Sequence, residues 1–212
     1  MKIPVLVFTL LLFTPSLIFA GGSGHVALQT GDPSCGDDSG NIYVDCGNGT
    51  VTDNRTSLIW LADASCLSSM TDWDTAKIFV ASLSDLDDDF CTAEGVPSQA
   101  ICDCSLSDNS SPGEWRLPTA DEWKLMVSDA LGVEGDPNCT LSPPTLTNDS
   151  GGGCQISGPS SFFGVMTDYW SISVDMEISI NNRFSISLSD GEINRNTVRE
   201  ALLYAWPVRG GQ

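Results

Sequence analysis

Apolar and polar positions alternate most cleanly near the end of the chain, where Phe184, Ile186 and Leu188 interleave with Ser185, Ser187 and Ser189. A period of two predicts a strand with one face in a core and the other in solvent. Asp190-Gly191 then supplies a hairpin turn. Earlier, Ile42-Tyr43-Val44 reads as a short strand, and the segment Cys46 to Thr50 carries the turn pair Asn48-Gly49. Val51 to Leu61 resumes extended chain, broken by a second turn at Asp53-Asn54-Arg55-Thr56 before the apolar run ending in Trp60-Leu61. Val165 to Val174, which includes Asp168-Tyr169-Trp170-Ser171, predicts another strand. Leu202 to Val208 predicts the last, with Tyr204, Trp206 and Val208 on one face.

Helical spacing occurs twice. Trp73, Ala76, Val80 and Leu83, with Phe79 beside them, predict a helix over Asp72–Leu83 that opens on the cap-like Thr71-Asp72-Trp73-Asp74. Trp123, Met126 and Ala130 predict a second over Ala120–Leu131, with Gly132 as its stop. The stretch Gly113 to Trp123 leads into that second helix and is the best-specified junction in the chain. Pro118 disfavours helix at Leu117, so the helix starts after it. Thr119 with Glu122 three residues on forms a capping box, each side chain satisfying an orphan backbone N–H. Trp115 and Leu117 are placed to enter a core just before the turn, and Trp123 to fold back on Pro118. Arg116 is expected to pair with a carboxylate or backbone carbonyls at this hinge.

Hairpin, two helices, a long loop and then antiparallel strands imply an α+β domain with both helices packed on an antiparallel sheet. Asp85 to Ser111 is polar, cysteine-bearing and irregular. Gly132 to Gly164 is a long stretch of Gly, Pro, Ser, Asn and Asp, with Pro143-Pro144 and Gly151-Gly152-Gly153 inside it. A loop of that length within a compact domain is usually functional or disordered, and Asp168, Trp170 and Ser171 at its exit are the candidate ligand-binding residues. Trp170 could stack on a sugar ring or be buried at a strand start.

Residues 1–20 read as a secretory signal: Lys2 is followed by an apolar run, and Ala20-Gly21-Gly22 offers a cleavage point. Residues 21–40 form a Gly-, Ser- and Asp-rich entry segment holding the lone His25, and residues 41–210 form the domain. The protein is therefore expected to be exported to the periplasm, the outer surface or the medium, with no membrane span after cleavage. Without the signal, eight basic side chains face 28 acidic ones, a net charge of about −20. Such a field disfavours nucleic acid, anionic lipid and sulfated glycans.

Eight cysteines follow the signal: Cys35, Cys46, Cys66, Cys91, Cys102, Cys104, Cys139 and Cys154. In an exported chain they read as disulfides. Spacing suggests Cys35–Cys46 and Cys139–Cys154, with the other four pairing among themselves and Cys102 not joined to Cys104.

Three groups of residues, in this order, resemble the C-terminal domain of the Legionella collagen-like adhesin, a bacterial family. The run Asn48-Gly49-Thr50-Val51-Thr52-Asp53-Asn54-Arg55-Thr56-Ser57-Leu58-Ile59-Trp60 is similar to the family's opening hairpin, with Ser57 replacing a usual glycine. Trp115-Arg116-Leu117-Pro118-Thr119 with Glu122 is similar to its central motif. Tyr169-Trp170-Ser171, Asp190-Gly191 and Pro207-Val208-Arg209 are similar to its last strands, with Ile172 where a second serine is common. The resemblance covers roughly residues 41–210 and implies a C-type-lectin-like fold stabilised here by disulfides. It also implies an adhesin-like role, with an extracellular glycan or protein as ligand. The family's glycosaminoglycan ligand fits poorly with the charge, and Arg183, Arg195, Arg199 and Arg209 are expected to neutralise nearby acids instead.

Catalysis is not expected. Arg116 to Thr119 with Glu122-Trp123 is also similar to a motif of formylglycine-generating enzymes, but no cysteine follows Cys154 to supply their copper-binding pair. A single histidine outside the predicted fold leaves no hydrolytic triad. No cofactor is called for. Calcium is the one metal with candidate ligands, at Asp37-Asp38-Ser39-Gly40-Asn41 and Asp85 to Asp89, as part of a calcium-stabilised surface assembly.

Overall fold

The computed structural model describes residue 35 and residues 40–67, 69–85, 104–132, 138–175 and 179–210. The signal, most of the entry segment with His25, Cys91, Cys102, Asp37-Asp38 and Asp87 to Asp89 lie outside the described residues. The architecture is α+β, as the patterning implies, but the helices pack on two antiparallel sheets rather than one. The first has the order β1 (Tyr43–Asp45), β2 (Thr50–Asp53), β3 (Leu58–Leu61) and β7 (Val208–Gly210); the second has β4 (Asp168–Val174), β5 (Asn182–Ser187) and β6 (Glu192–Val198). Helix α1 spans Trp73–Ser82 and helix α2 spans Ala120–Ser128. Among the described residues, no helix is long and apolar enough to cross a membrane.

The β1–β2–β3 meander follows from its two turns. Asn48 Oδ1 accepts from the Thr50 N–H and hydroxyl, and Gly49 takes φ +85° with no room for a Cβ, which would stand 2.6 Å from the Ser105 carbonyl oxygen. At the second turn the buried Asp53 carboxylate accepts from the Arg55 N–H, Nε and Nη2. The Asp53 carbonyl accepts from Ser57 N–H, and Ser57 itself sits at φ +59°. That is a left-handed conformation natural to glycine.

The C-terminal stretch 202–208 departs from the expected strand. Leu203 bridges Thr71 and Tyr204 bridges Tyr169, and only Val208–Gly210 forms a strand, beside β3. The segment thereby stitches both sheets and the entry of α1 together, which one continuous strand could not do. Trp206 and Val208 are buried as predicted, whereas Tyr204 is partly open. The second helix ends three residues sooner than the periodicity suggests, at Ser128. Leu131, three residues past the helix, meets the Asp190-Gly191 turn, where a Cβ on Gly191 would lie 2.5 Å from Leu131 Cδ2. β6 was not legible as a strand because its positions are mostly exposed and polar.

Helix α1 is capped by Asp72, whose carboxylate accepts from Thr75 N–H and hydroxyl. Those two bonds hold the Asp72 carboxyl below its usual range. The α2 capping box is present in both directions: Glu122 N–H donates to Thr119 Oγ1 and Thr119 N–H to Glu122 Oε2.

The core is aromatic and all six tryptophans are buried. Trp60 from the first sheet, Trp206 from the segment leading into β7, Trp123 from α2 and Tyr169 from the second sheet form one cluster, with ring centroids 5.3–5.9 Å apart. Large flat side chains bury much apolar area each, and their tilted and edge-on contacts add roughly 0.5–1.5 kcal/mol per pair. Trp123, at the junction the chain is built around, is therefore the meeting point of both sheets.

Three disulfides brace the described residues. Cys35–Cys46 and Cys139–Cys154 pair as their spacing suggests, with Cα atoms 5.0 and 5.4 Å apart. Cys66–Cys104, at 5.3 Å, joins two of the remaining four.

Candidate functional site

The sequence suggests the loop ahead of Asp168, and the Trp115–Trp123 junction also gathers two indoles, an arginine and acids. The motif is occupied by its own contacts. Arg116 shares two bonds with the Glu122 carboxylate, Nη1 to Oε2 at 2.8 Å and Nη2 to Oε1 at 2.6 Å, and also donates to the carbonyls of Leu117 and Gly210. Burial alone would raise the Glu122 carboxyl, but Arg116 and the Thr119 N–H outweigh it and hold it below its ordinary range. Arg116 also bridges Val208 through backbone bonds in both directions. Trp115 donates to Ser110 Oγ, whose hydroxyl donates to Asp108, and Asp108 pairs with the buried Arg209 at 3.0 Å. Pro118 is buried and its carbonyl accepts from Ile172 N–H. The motif is a structural hinge.

Trp170 and Ser171 belong to the same framework, and this corrects their reading as ligand contacts. Both are at most 1% exposed, so a stacking face for a sugar is absent. The reason is an irregularity in β4: pairing with β5 holds at Trp170↔Ser185 and returns only at Val174↔Arg183. The freed segment receives both helices. Trp73 of α1 donates to the Ser171 carbonyl at 2.8 Å, and Trp123 of α2 donates to the Trp170 carbonyl at 3.2 Å. Ser173 Oγ accepts the first helical N–H of α2, from Ala120, and Trp170 Nε1 reaches across to the Thr71 carbonyl at 2.8 Å. Bulges re-aim a strand in this way, and no sequence periodicity announces one. Asp168 remains at the surface, half-buried, accepting from the Thr167 hydroxyl.

The loop keeps its candidacy. Its described part, residues 138–164, is held by Cys139–Cys154 and by Asp149. The Asp149 carboxylate accepts from Ser161 N–H and Oγ, and its carbonyl accepts from Ile42 and Tyr43 N–H. The side-chain amide of Asn148 occupies the space where Gly153 and Gly158 lack a Cβ. One-turn 3₁₀ helices start from each end of the disulfide, Cys139–Leu141 and Gln155–Ser157. On this base Leu141, Ile156 and Phe163 are 88%, 65% and 58% exposed. Composition hid these residues: three apolar side chains among Gly, Ser and Pro show no periodicity.

The cations are the second finding. All eight basic side chains beyond the signal are engaged. Arg55 pairs with Asp53 and Asp129, Arg116 with Glu122, Lys124 with Asp121, Arg195 with Asp175, Arg199 with Asp74 and Arg209 with Asp108. Lys77 and Arg183 each lie 4.1 Å from the centroid of the Trp73 ring. The expected neutralising role of Arg195, Arg199 and Arg209 is met by these pairs, while Arg183 rests on an aromatic ring. Exposed Asp45, Glu114, Asp190, Glu192 and Glu200 take no part in these pairs.

Among the described residues, no group of three or more His, Cys, Asp or Glu side chains is placed to hold a metal ion. Asp85, the described end of one calcium candidate, accepts instead from Asn109 N–H. Comparison of the chain with family models, with curated proteins and with solved structures returns no match.

Proposed function

We propose that this chain is an exported, non-catalytic binding module of the C-type-lectin-like class, acting in an adhesin-like manner at the bacterial envelope. The observation that carries the reading is the loop of residues 138–164: it is anchored by a disulfide and by Asp149, yet it turns Leu141, Ile156 and Phe163 outward. A rigid base under an exposed loop is the arrangement by which scaffolds present ligand contacts. Solvated large apolar side chains in one loop favour an interaction surface over a merely covering one.

The resemblance to the Legionella adhesin domain is supported at two positions by local physics. Ser57 adopts φ +59°, a glycine conformation, where the family has glycine. Arg116, Thr119 and Glu122 interlock as one hydrogen-bonded unit, which accounts for their appearing together as a motif. Because every Lys and Arg of the described residues is already engaged, sulfated glycosaminoglycans are disfavoured as ligand.

Glycan and peptide arrays probed at low and physiological salt test the proposal. Wild type is compared with the triple variant Leu141→Ser/Ile156→Ser/Phe163→Ser. Binding to at least one probe class that is lost in the variant, at unchanged melting temperature, is the expected result. Absence of any loop-dependent binding overturns the reading.

A further inference from the structure

The loop that turns apolar side chains outward also lies in a stretch without positive charge: between Lys124 and Arg183 there is no Lys, Arg or His. The described carboxylates of that stretch are Asp129, Asp149, Asp168 and Asp175; Asp129 pairs with Arg55 and Asp175 with Arg195, which leaves Asp149 and Asp168 outside the ion pairs of the described residues. Leu141 and Ile156 each stand two residues beyond a cysteine of the same disulfide, whose Cα atoms are 5.4 Å apart. At no more than about 3.6 Å per residue, their Cα atoms lie within roughly 20 Å of each other. Gln155 Nε2 donates to the Phe162 carbonyl at 3.1 Å, which ties the Phe162-Phe163 pair to the residue beside Ile156. An extended segment of about ten residues, roughly 33 Å long, reaches across all three.

The side-chain chemistry discriminates among ligands. Sugar rings are held by flat aromatic faces with polar groups at their edges; here all six tryptophans are buried, and Phe163 is the one aromatic ring among the three exposed apolar residues. Leu141 and Ile156 are aliphatic and branched, suited to apolar side chains of a polypeptide. An anionic chain would meet the field of a protein with a net charge of about −20, whereas a cationic one is steered toward it. Apolar contacts at the centre with charge around them is the usual anatomy of a protein–protein interface.

We infer that the loop of residues 138–164 docks, through Leu141, Ile156 and Phe163, a cationic, apolar segment of another protein, one in which Lys or Arg is interspersed with large apolar side chains. The inference rests on the loop being the binding surface, as proposed above.

The test titrates the disulfide-bonded mature chain with a labelled peptide of alternating Leu and Lys, its Leu–Glu counterpart, heparin and a neutral oligosaccharide. Each titration is run at low and physiological salt, on wild type, on the triple serine variant and on Leu141→Lys. The Leu–Lys peptide is expected to bind, to weaken with salt, and to lose at least about ten-fold in affinity in both variants, while the other probes stay unbound. Leu141→Lys changes a side chain with 88% exposure, so it keeps the test valid if the triple variant melts early. Leu–Lys binding that is unchanged in Leu141→Lys overturns the inference, because a diffuse acidic field then explains it. Loop-dependent binding of heparin, the neutral sugar or the Leu–Glu peptide in place of Leu–Lys also overturns it, yet leaves the loop as binding surface. No loop-dependent binding by any probe overturns both.

Discussion

Glu122→Gln isolates the bond on which the central motif depends. Glutamine still reaches the Thr119 N–H, so the capping box survives in form, while the charge facing Arg116 is lost. In the wild type, two short bonds of 2.8 and 2.6 Å join the pair, and the side chains are 25% and 14% exposed. A hydrogen bond to a charged group contributes about 1.5–3 kcal/mol, and partial exposure places this pair toward the lower end. Glu122→Gln should therefore cost about 1.5 kcal/mol. Glu122→Ala, which also strips the cap, should cost about 1 kcal/mol more. A cycle with Arg116→Met should return a coupling of about 1–1.5 kcal/mol, since the partners share one contact.

Urea unfolding with the disulfides intact, read by the fluorescence of the buried tryptophans, supplies each value. Acid provides an independent check. The Glu122 carboxyl is held below its ordinary value of 4.5 in the folded protein. Its stabilisation is therefore complete above the unfolded value and is lost as pH falls through the lowered one. The gap between wild type and Glu122→Gln should persist at neutral pH and close progressively below about pH 4.5. A coupling under about 0.5 kcal/mol, or a gap indifferent to acid, would refute the assignment of the motif as a charge-locked hinge.

Ser57→Gly should raise stability by about 0.5–1 kcal/mol in the same assay, because it relieves a left-handed residue at φ +59°; an unchanged or lowered midpoint would contradict that backbone reading. Gly49→Ala should cost at least about 2 kcal/mol, from φ +85° together with a Cβ 2.6 Å from the Ser105 carbonyl oxygen. Trp73→Phe keeps most of the ring but leaves the Ser171 carbonyl without its indole donor, and should cost about 1–3 kcal/mol. Joint replacement of Cys139 and Cys154 by serine opens a link across 15 positions and should lower stability by about 3 kcal/mol, checked by melting with and without reductant.

Much of the local structure was legible because its causes are local. Asn48-Gly49 and Asp190-Gly191 turn the chain through side-chain and φ preferences that operate within a few residues. Asp72 and Thr119 start helices by capping N–H groups three positions away, and Pro118 forbids an earlier start. The pairing of Cys35 with Cys46 and of Cys139 with Cys154 follows from short separations. The expectation that acids would bind the C-terminal arginines rests on composition alone, since 28 acids surround eight cations.

Tertiary structure decided what those pieces face. Alternation places Trp170 in a strand but is silent on whether either side of the sheet is open; both helices dock there, so the residue that looked able to hold a sugar is enclosed. The β4 irregularity coincides with the carbonyls that accept from the indoles of Trp73 and Trp123, residues 98 and 47 positions away. Likewise, the exposure of Leu141, Ile156 and Phe163 depends on how Asp149 and the disulfide hold the loop against the first sheet. Short-range hydrogen bonding and sterics can be read residue by residue; burial is a property of the neighbours, and only the assembled fold supplies them.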